Sequence, residues 1–409
     1  MIVLHYIKIK NHWTRNRCYM VCLIRIVRLL PILSILFHPT MQASPTMLED
    51  KIELEDKAQL ENRTKLESEP ENFLENKYHL NTEALLDHQF SPAINRFWNE
   101  NAKVNTFESI KGGTIHTIHI VTGQANAIVI SQGRNESTLK YKELAFELNQ
   151  QGYDVFLIDH RGQGLSTRLG GDAHRGHVQA FQDYVLDLTT FVETLQLDTK
   201  YQSRFLLSHS MGGTISALYL QQKTHPFQAS AFFSPMFSIN LGALPTFLAK
   251  LISYISDLIC TWFSDSACYA PGSGPYFSTP FEGNSLTSSE KRYHSALNTF
   301  EVNTKTQLGG PSMRWVNESL YSSEKAIEQA SKIDIPMIIV QAGADSIVKA
   351  EGQQAFFANN QRCEHNQFIE VVNAKHELLL EQDKYRIPAI AAVLDFFKQS
   401  QQGKLTCTK

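Results

Sequence analysis

The stretch LLSHSMGG, residues 206–213, joins an apolar run to a helical pattern through a serine that lies between small residues. The run Arg204–His209 predicts a buried β-strand, and Met211–Gln222 predicts a helix that begins at once. Such a sharp turn lifts the Ser210 hydroxyl above the edge of a sheet, where it can act as a nucleophile. The stretch therefore predicts an α/β fold with a reactive serine at one sheet edge.

The residues around Ser210 suit this role with one departure. Small side chains are needed two positions before and two positions after the serine, because the strained turn leaves little space. Gly212 meets that requirement, whereas Ser208 stands where the first glycine usually lies. The start of the helix also directs the backbone N–H of Met211 at a developing oxyanion. A tight polar turn without chemistry is the alternative, and the flanking strand and helix favour the nucleophile.

A nucleophilic serine needs a histidine base and an acid that orients the histidine. In this fold class both follow the serine, the acid first, at the ends of later strands. Asp345 follows the strand predicted over Pro336–Gln341, and His376 follows the strand predicted over Gln367–Val372. We therefore predict a catalytic triad of Ser210, Asp345 and His376.

Two other residues are weaker candidates for the triad. Asp334 precedes its strand, so we expect it at the opposite edge of the sheet. His209 is adjacent to the nucleophile and is predicted to pack beneath the turn rather than to act as the base. The remaining histidines follow no strand in this way and are interpreted as surface or structural residues.

The loop QGRNES, residues 132–137, follows the strand predicted over Ala127–Ser131. In this fold class the second oxyanion donor comes from that loop. The flexible Gly133 lets the Arg134 backbone N–H turn inward, so Arg134 is predicted to contribute its backbone and not its guanidinium. An ordinary turn between a strand and a helix is the alternative.

Strand-like and helical patterns alternate along the rest of the chain. Further strands are predicted over Asp154–Ile158 and Ser230–Phe233, and further helices over Thr138–Gln151, Ala180–Leu197 and about Ile387–Lys398. This alternation predicts a mostly parallel sheet with helices on both faces. The alternation breaks down between about residues 239 and 333, where we predict an inserted helical cap.

The predicted cap contains a long amphipathic pattern. Apolar residues recur at three- and four-residue spacing from Leu241 to Phe263, with Pro245 near the start. This spacing predicts a helix. Its apolar face either packs on its own domain or lines an acyl pocket and touches lipid, and both interpretations remain open.

Composition and charge limit the function classes. The chain has 409 residues and a formal net charge of −3. Residues 1–43 hold six basic and no acidic residues, and residues 44–90 hold five basic and twelve acidic ones. The body, residues 91–409, is nearly neutral, which argues against a nucleic-acid binder held by phosphate contacts. The six cysteines form no CxxC pair and no Cys/His metal spacing, so no zinc site is predicted.

The first 90 residues are predicted to lie outside the folded body. Residues 29–37 form an uncharged apolar run. It is too short to cross a bilayer, which takes ~20 residues, but it suits a secretory h-region of ~7–15. We predict that residues 1–43 are a signal peptide or membrane anchor and that residues 44–90 are an acidic, partly helical linker. A true start at Met20 and a merely sticky tail are the alternatives.

Two motifs carry a family resemblance. DHRGQGLS at 159–166 and SHSMGG at 208–213 resemble the α/β-hydrolases of the monoacylglycerol-lipase type, and the sequence looks most like the bacterial inner-membrane lysophospholipases in that group. The supporting stretches are GRNES at 133–137, GHV at 176–178, Asp183-Tyr184, GGP at 309–311, Trp315-Val316 and HEL at 376–378. Together they spread over about residues 95–400. That family tolerates a small residue other than glycine before the nucleophile, as at Ser208.

The resemblance implies an α/β-hydrolase fold and the same Ser210, Asp345 and His376 triad. It also implies a lysophospholipase that forms an acyl-enzyme and needs neither a metal ion nor an organic cofactor. The expected partners are a single-chain lipid, either a lysophospholipid or a monoacylglycerol, and a membrane surface, but no nucleic acid.

Several alternatives remain open at this stage. The same scaffold serves monoacylglycerol lipases, other ester or peptide hydrolases and acyltransferases, and an inactive lipid- or protein-binding module is the alternative from another class. The expected location is the cell envelope, with export or inner-membrane association through residues 1–43, and the cytoplasmic face of the membrane is the alternative. Cys260 and Cys268 can pair if the protein is exported.

Overall fold

The computed structural model describes residues 64–66, 76–86 and 90–407. The predicted signal or anchor segment and most of the predicted linker lie outside these residues. Residues 76–86 differ from a solvated linker, because Leu80 and Leu86 are buried. The folded body therefore extends N-terminally of residue 91. The prediction missed this packing because residues 44–90 are acidic as a whole, and only a few leucines pack the stretch against the body.

The described residues form a nine-stranded sheet with the spatial order β1-β9-β8-β7-β6-β4-β5-β3-β2. Its strands are β1 Thr64–Leu66, β2 Ala102–Glu108, β3 Thr114–Ile120, β4 Asn126–Ser131, β5 Tyr153–Ile158, β6 Ser203–His209, β7 Ala229–Phe233, β8 Met337–Ala342 and β9 Gln367–Val371. β2 and β3 run antiparallel to their neighbours and the others pair in parallel. The predicted mostly parallel sheet is confirmed. β1, β2 and β3 were not predicted. β1 has only three residues, β2 is largely exposed and polar, and threonine and histidine residues interrupt the apolar pattern of the buried β3.

Helices cover both faces of the sheet. In the described residues they are α1 Pro92–Asn101, α2 Lys142–Gln150, α3 Gln182–Leu195, α4 Leu197–Lys200, α5 Met211–Gln222, α6 Thr246–Phe263, α7 Glu290–Val302, α8 Met313–Glu328, α9 Ala350–Asn359 and α10 Asp383–Gln401. Strand side chains alternate between two apolar clusters. Ile128 and Ile130 pack with α2 and α10, whereas Val129 packs with α3 and α5 on the other face.

The predicted helices differ from the observed ones mainly at their starts. The predicted helix Thr138–Gln151 begins with a 3-10 turn over Thr138–Tyr141 before α2. The closing helix α10 begins at Asp383, four residues before the predicted Ile387. The prediction missed this first turn because the turn is mostly polar. Arg386 in that turn is fully buried and donates two hydrogen bonds to the Glu147 carboxylate, at 2.9 and 2.5 Å. An apolar pattern cannot reveal a turn that is buried through an ion pair.

The strand–helix alternation stops between β7 and β8, where α6, α7 and α8 lie. Gly176 holds this cap region to the body, since its N–H donates to the Gly310 carbonyl (3.0 Å) and its own carbonyl accepts from Ser312 (2.8 Å). A disulfide joins Cys260, near the end of α6, to Cys268. The pairing that the sequence allowed is therefore present in the structure.

Candidate active site

Ser210 lies in the turn between β6 and α5, with φ +50° and ψ −118°. This backbone conformation is strained for a residue with a side chain, as in a nucleophile turn. A Cβ at Gly212 would lie 2.0 Å from the Ser131 carbonyl oxygen, so the helix packs too closely there for any side chain. Ser208 fits without glycine, because its hydroxyl donates to the Ala231 carbonyl at 3.3 Å.

The structure brings the three predicted triad residues into hydrogen-bond contact. His376 Nε2 lies 2.9 Å from Ser210 Oγ, and His376 Nδ1 lies 2.7 Å from Asp345 Oδ2. Ser210 follows β6, Asp345 follows β8 and His376 follows β9, so all three lie at the carboxyl ends of parallel strands. With Nδ1–H donating to the carboxylate, Nε2 is free to accept the serine proton.

The triad is buried and its acid is held in place. Ser210 is 7% exposed and His376 is 4% exposed. The second oxygen of Asp345 accepts the backbone N–H groups of Ile347 (2.8 Å) and Val348 (3.0 Å). Two backbone donors fix the carboxylate plane, so the imidazole is oriented before substrate arrives.

The two weaker candidates lie as the sequence suggested. Asp334 Oδ1 is 3.4 Å from His225 Nε2, and this pairing is not part of the triad. His209 packs against His376, with Nε2 3.3 Å from the His376 carbonyl oxygen and a ring centroid separation of 5.0 Å. Its other nitrogen lies 3.2 Å from Glu136 Oε1.

The predicted oxyanion loop approaches the nucleophile closely. A Cβ at Gly133 would lie 3.1 Å from the Ser210 Cβ. The Arg134 guanidinium donates to the Gly309 carbonyl of the cap and stacks 5.1 Å from the Trp315 ring. Burial lowers the pKa of Arg134 to about 10. The Arg134 side chain therefore binds the cap. Donation to an oxyanion from the backbone N–H groups of Arg134 and Met211 stays a prediction.

Behind the triad lies a buried charge cluster, formed by Glu136, Lys140, His209 and Glu377. The Glu136 carboxylate accepts the Gly133 N–H, the Lys140 ammonium at 2.7 Å and the Tyr141 hydroxyl at 2.7 Å. Lys140 also donates to Glu377, the residue that follows His376. One cluster thus contacts the predicted oxyanion loop, the turn of Ser210 and the segment of His376.

Mutual attraction favours the charged forms of Glu136, Lys140 and His209 despite their burial. Burial alone would raise the pKa of Glu136, but Lys140 and His209 hold it well below its ordinary value. Burial alone would lower the pKa of His209, but the Glu136 carboxylate raises it above its ordinary value. Burial likewise opposes the charge of Lys140, and Glu136 and Glu377 raise the pKa of this ammonium. Charges at such sites persist only when they are paired.

Two residues of the motif DHRGQGLS, Asp159 and Gln163, form hydrogen bonds with the predicted oxyanion loop and the residue that follows it. The Asp159 carboxylate accepts Gln132 Nε2 and the Thr138 N–H, both at 2.7 Å. Gln163 Nε2 donates to the Gly133 carbonyl at 2.7 Å. These contacts and the charge cluster were not predicted. Most of their residues stand in the motifs, Gln132, Thr138 and Lys140 excepted, but a sequence motif does not reveal which partners meet across the fold.

A cavity of about 130 Å³ lies between the body and the cap, and Glu377, the residue after His376, is part of its lining. We call it the chain cavity. Its cap side is mostly aromatic and aliphatic, and its body side includes Asn135 of the oxyanion loop and Glu377 beside His376. The cap residues are Tyr276, Phe277, Thr279, Leu286, Thr287, Tyr293, Ala296, Leu297 and Phe300. Among the described residues, no group of three His, Cys, Asp or Glu side chains is arranged to hold a metal ion.

Comparisons with known proteins identify the family of this chain. The family model Hydrolase_4, serine aminopeptidase S33, matches residues 123–383. Lysophospholipase L2 of Escherichia coli (strain K12) is 37% identical over 276 residues, which are 66% of this chain and 80% of that protein. The probable lysophospholipase L2 of Haemophilus influenzae is 32% identical over 290 residues, or 70% and 88% of the two chains.

A solved structure shows the same fold. A soluble variant of monoglyceride lipase from Saccharomyces cerevisiae, in complex with a substrate analog, superposes with a TM-score of 0.56 and 20% identity. The match covers 73% of this chain and 96% of that one. The α/β-hydrolase fold implied by the sequence motifs is thereby confirmed. The chain belongs to the Hydrolase_4, serine aminopeptidase S33, family of α/β-hydrolases, in its monoacylglycerol-lipase-like group that includes bacterial lysophospholipases.

Proposed function

We propose that this enzyme, a carboxylic ester hydrolase, cleaves the fatty-acyl ester of lysophospholipids through an acyl-enzyme on Ser210. The observation that carries the proposal is the chain of hydrogen bonds from Ser210 through His376 to Asp345. The similarity to two bacterial lysophospholipases supports the substrate class. The chain cavity, whose cap side is mostly aromatic and aliphatic, supports a lipid with one acyl chain.

The reaction follows from the positions of the three side chains. As Ser210 Oγ attacks the ester carbonyl carbon, its proton passes to His376 Nε2. Asp345 stabilises the imidazolium that forms. His376 then gives this proton to the glycerol oxygen as the ester C–O bond breaks. Water attacks the acyl-enzyme, loses a proton to His376, and releases the fatty acid as Ser210 regains its proton.

The oxyanion of each tetrahedral intermediate needs two fixed donors. We assign them to the backbone N–H groups of Met211 and Arg134. Met211 is the first residue of α5, and the first N–H groups of a helix have no partner within the helix. The close approach of Gly133 to Ser210 supports a donor from the next residue in that loop.

The exposed face of α6 supports docking on a membrane surface. The helix buries only Ala249, Ser253, Asp257 and Cys260. Large apolar side chains stay exposed, among them Phe247 at 69% and Trp262 at 78%. Among the described residues, α6 is the one helix long and apolar enough to span a bilayer, a criterion that soluble helices also meet. We assign α6 to the interface between the membrane and water, where its exposed apolar face can insert beside the lipid headgroups.

Two disulfides support a location outside the reducing cytoplasm. Cys260 pairs with Cys268, and Cys363 pairs with Cys407. Disulfides persist in oxidising compartments such as the bacterial periplasm. We therefore propose export or envelope anchoring through residues 1–43, which lie outside the described residues. N-terminal sequencing of the mature protein from separated cell fractions tests this, and an intact start in the cytoplasmic fraction would refute it.

The function is tested by fatty-acid release from lysophosphatidylcholine and from a monoacylglycerol with the same acyl chain. We expect turnover of the lysophospholipid by the wild-type enzyme and none by the Ser210→Ala variant. Turnover of monoacylglycerol alone would identify a monoacylglycerol lipase instead. Formation of a new ester when an alcohol is added would indicate acyl transfer.

A further inference from the structure

A second cavity, of about 220 Å³, lies between the loop that follows the DHRGQGLS motif and the cap segment 304–307. We call it the Arg168 cavity. Three basic residues line it, Arg168, His174 and Lys305, and its other described lining residues are uncharged. A single water needs roughly 10–15 Å³, so the cavity has room for a group far larger than water.

Arg168 is oriented but lacks an anionic partner. Its Nη2 donates to the Lys305 carbonyl at 2.5 Å and lies 3.4 Å from the Gln307 carbonyl. Its Nη1 is buried and has no hydrogen-bond partner among the described residues. Burial lowers the pKa of this guanidinium, and the Asp159 charge only partly opposes that effect. The Asp159 carboxylate accepts hydrogen bonds from other donors, namely Gln132 Nε2 and the backbone N–H groups of Thr138 and Leu165.

An unpaired, partly buried guanidinium is costly unless a ligand supplies the negative charge. No side chain of the described residues forms an ion pair with Arg168 within 4.0 Å. Arginine presents a planar set of donors that matches the oxygens of a phosphate group. Lys305 adds a second positive charge to the lining, His174 adds a hydrogen-bonding ring, and none of the described lining residues is acidic.

The Arg168 cavity and the chain cavity share a wall. His174 Nδ1 accepts the Tyr276 N–H at 3.2 Å, which leaves its Nε2 as the donor nitrogen. Tyr276 lines the chain cavity, whereas His174 lines the Arg168 cavity. The nearby Asp172 carboxylate is engaged with Tyr269 at 2.8 Å and with Arg175 at 3.5 Å. A cationic cavity thus lies next to the cavity that we assign to the acyl chain.

We propose that the Arg168 cavity binds a phosphate group, and that this group is the headgroup phosphate of the lysophospholipid substrate. The choice of the headgroup as the source rests on the proposed function. Free inorganic phosphate offers the same chemistry and is the other source. In this arrangement Arg168 makes the enzyme prefer lysophospholipids to monoacylglycerols as substrates, because only lysophospholipids carry a phosphate group.

The first arm of the test uses inorganic phosphate alone. We expect phosphate to raise the Tm of the wild-type protein above its value in chloride of equal ionic strength. The increase should be lost in the Arg168→Gln variant and retained in Lys103→Gln, which removes one exposed charge from the edge strand β2. Equal Tm values in phosphate and chloride for the wild-type protein would overturn the phosphate site.

The second arm compares kcat/KM for lysophosphatidylcholine and for a monoacylglycerol with the same acyl chain. Loss of a charge-assisted hydrogen bond should lower the ratio of the two values about tenfold in Arg168→Gln. Arg168→Lys should retain part of the preference, and Lys103→Gln should leave the ratio unchanged. An equal loss for both substrates would show a structural role only and would overturn the proposal.

The two arms separate the sources of the phosphate. A Tm effect that depends on Arg168, together with an unchanged substrate ratio, would assign the cavity to free phosphate and overturn the headgroup. If the wild-type enzyme cleaves monoacylglycerol but not lysophosphatidylcholine, the proposed function fails. The Tm arm still decides the phosphate site in that case.

Discussion

Glu136 connects the three parts of the active site that must stay in register during the reaction. Its carboxylate accepts the Gly133 N–H of the oxyanion loop and lies 3.2 Å from His209 Nδ1. Through Lys140 it is also joined to Glu377, next to His376. Catalytic groups must be held to within a fraction of an ångström, so a side chain that touches no substrate can still set the rate.

We expect the Glu136→Gln variant to lose stability and turnover together. The substitution leaves Lys140 and His209 without a shared counter-charge, which costs ~3–5 kcal/mol at a buried ion pair. Urea unfolding measures the stability, and steady-state kinetics should show a larger change in kcat than in KM. Glu100→Gln, on the exposed surface of α1, is the matched control. A Glu136→Gln enzyme with wild-type stability and kcat would contradict the positioning role.

The cluster also predicts a pH dependence of stability. Because the pKa of His209 is raised in the folded protein, its stabilising contribution is complete below the unfolded pKa of about 6.5. That contribution is lost as the pH rises through the folded pKa. Between about pH 6 and pH 9, the free energy of unfolding should therefore fall more for the wild-type protein than for His209→Gln. Equal slopes for the two proteins would show that His209 is not charged in the fold.

At the scale of elements, α6 shows what a periodic pattern does and does not reveal. The spacing predicted the helix, and Pro245 precedes its first residue as expected. The pattern left open which side faces solvent. The buried side carries the smaller residues Ala249, Ser253 and Cys260 together with Asp257, and Asp257 pairs with Arg314 at 2.7 Å. The largest apolar residues remain outside, opposite to the arrangement of an ordinary surface helix.

The exposed face of α6 predicts membrane binding that depends on its aromatic residues. Replacing Phe247 and Trp262 together by serine should weaken sedimentation with phospholipid vesicles at least about tenfold, since each buried aromatic contributes ~1.5–3 kcal/mol. Ile110→Ser is the matched control, because Ile110 is 72% exposed in a turn of the body. If the double variant binds vesicles as the wild-type protein does, α6 is not the docking surface.

The Cys260–Cys268 disulfide fixes the end of α6 within the cap. Closing a loop of this length is worth about 2–3 kcal/mol in the chain-entropy model. The Cys260→Ser/Cys268→Ser double variant should therefore unfold at a lower temperature in scanning calorimetry. A reducing agent should shift the wild-type Tm in the same direction. An unchanged Tm in the double variant would show that the disulfide contributes nothing to stability.

For the whole molecule, strand order explains why the candidate triad could be predicted and the charge cluster could not. Ser210, Asp345 and His376 each follow a parallel strand, and carboxyl ends of parallel strands share one sheet edge. Lys140 pairs with Glu136 four residues earlier, but its second partner, Glu377, lies 237 residues away, and such a long-range contact leaves no periodic signal in the sequence. The edge strand β2 was missed for a related reason, because its mixed polar residues lack the alternation of a buried strand.

The paired cysteines predict a property of the whole native protein. A peptide map of unreduced, alkylated protein from the native host should show both the Cys260–Cys268 and the Cys363–Cys407 cross-links. The reason is that an exported domain folds under oxidising conditions. Free thiols at these four positions would place the domain in a reducing compartment and contradict the proposed location.

The central claim is that Ser210 is the nucleophile of a lysophospholipase, and active-site labelling tests it most directly. The wild-type enzyme is treated with a fluorophosphonate while fatty-acid release from lysophosphatidylcholine is followed, and the modified peptide is then identified. We expect one adduct per chain on Ser210, release that falls in proportion to labelling, and neither labelling nor release in Ser210→Ala. An adduct at another residue, or release of fatty acid by Ser210→Ala, would contradict the claim.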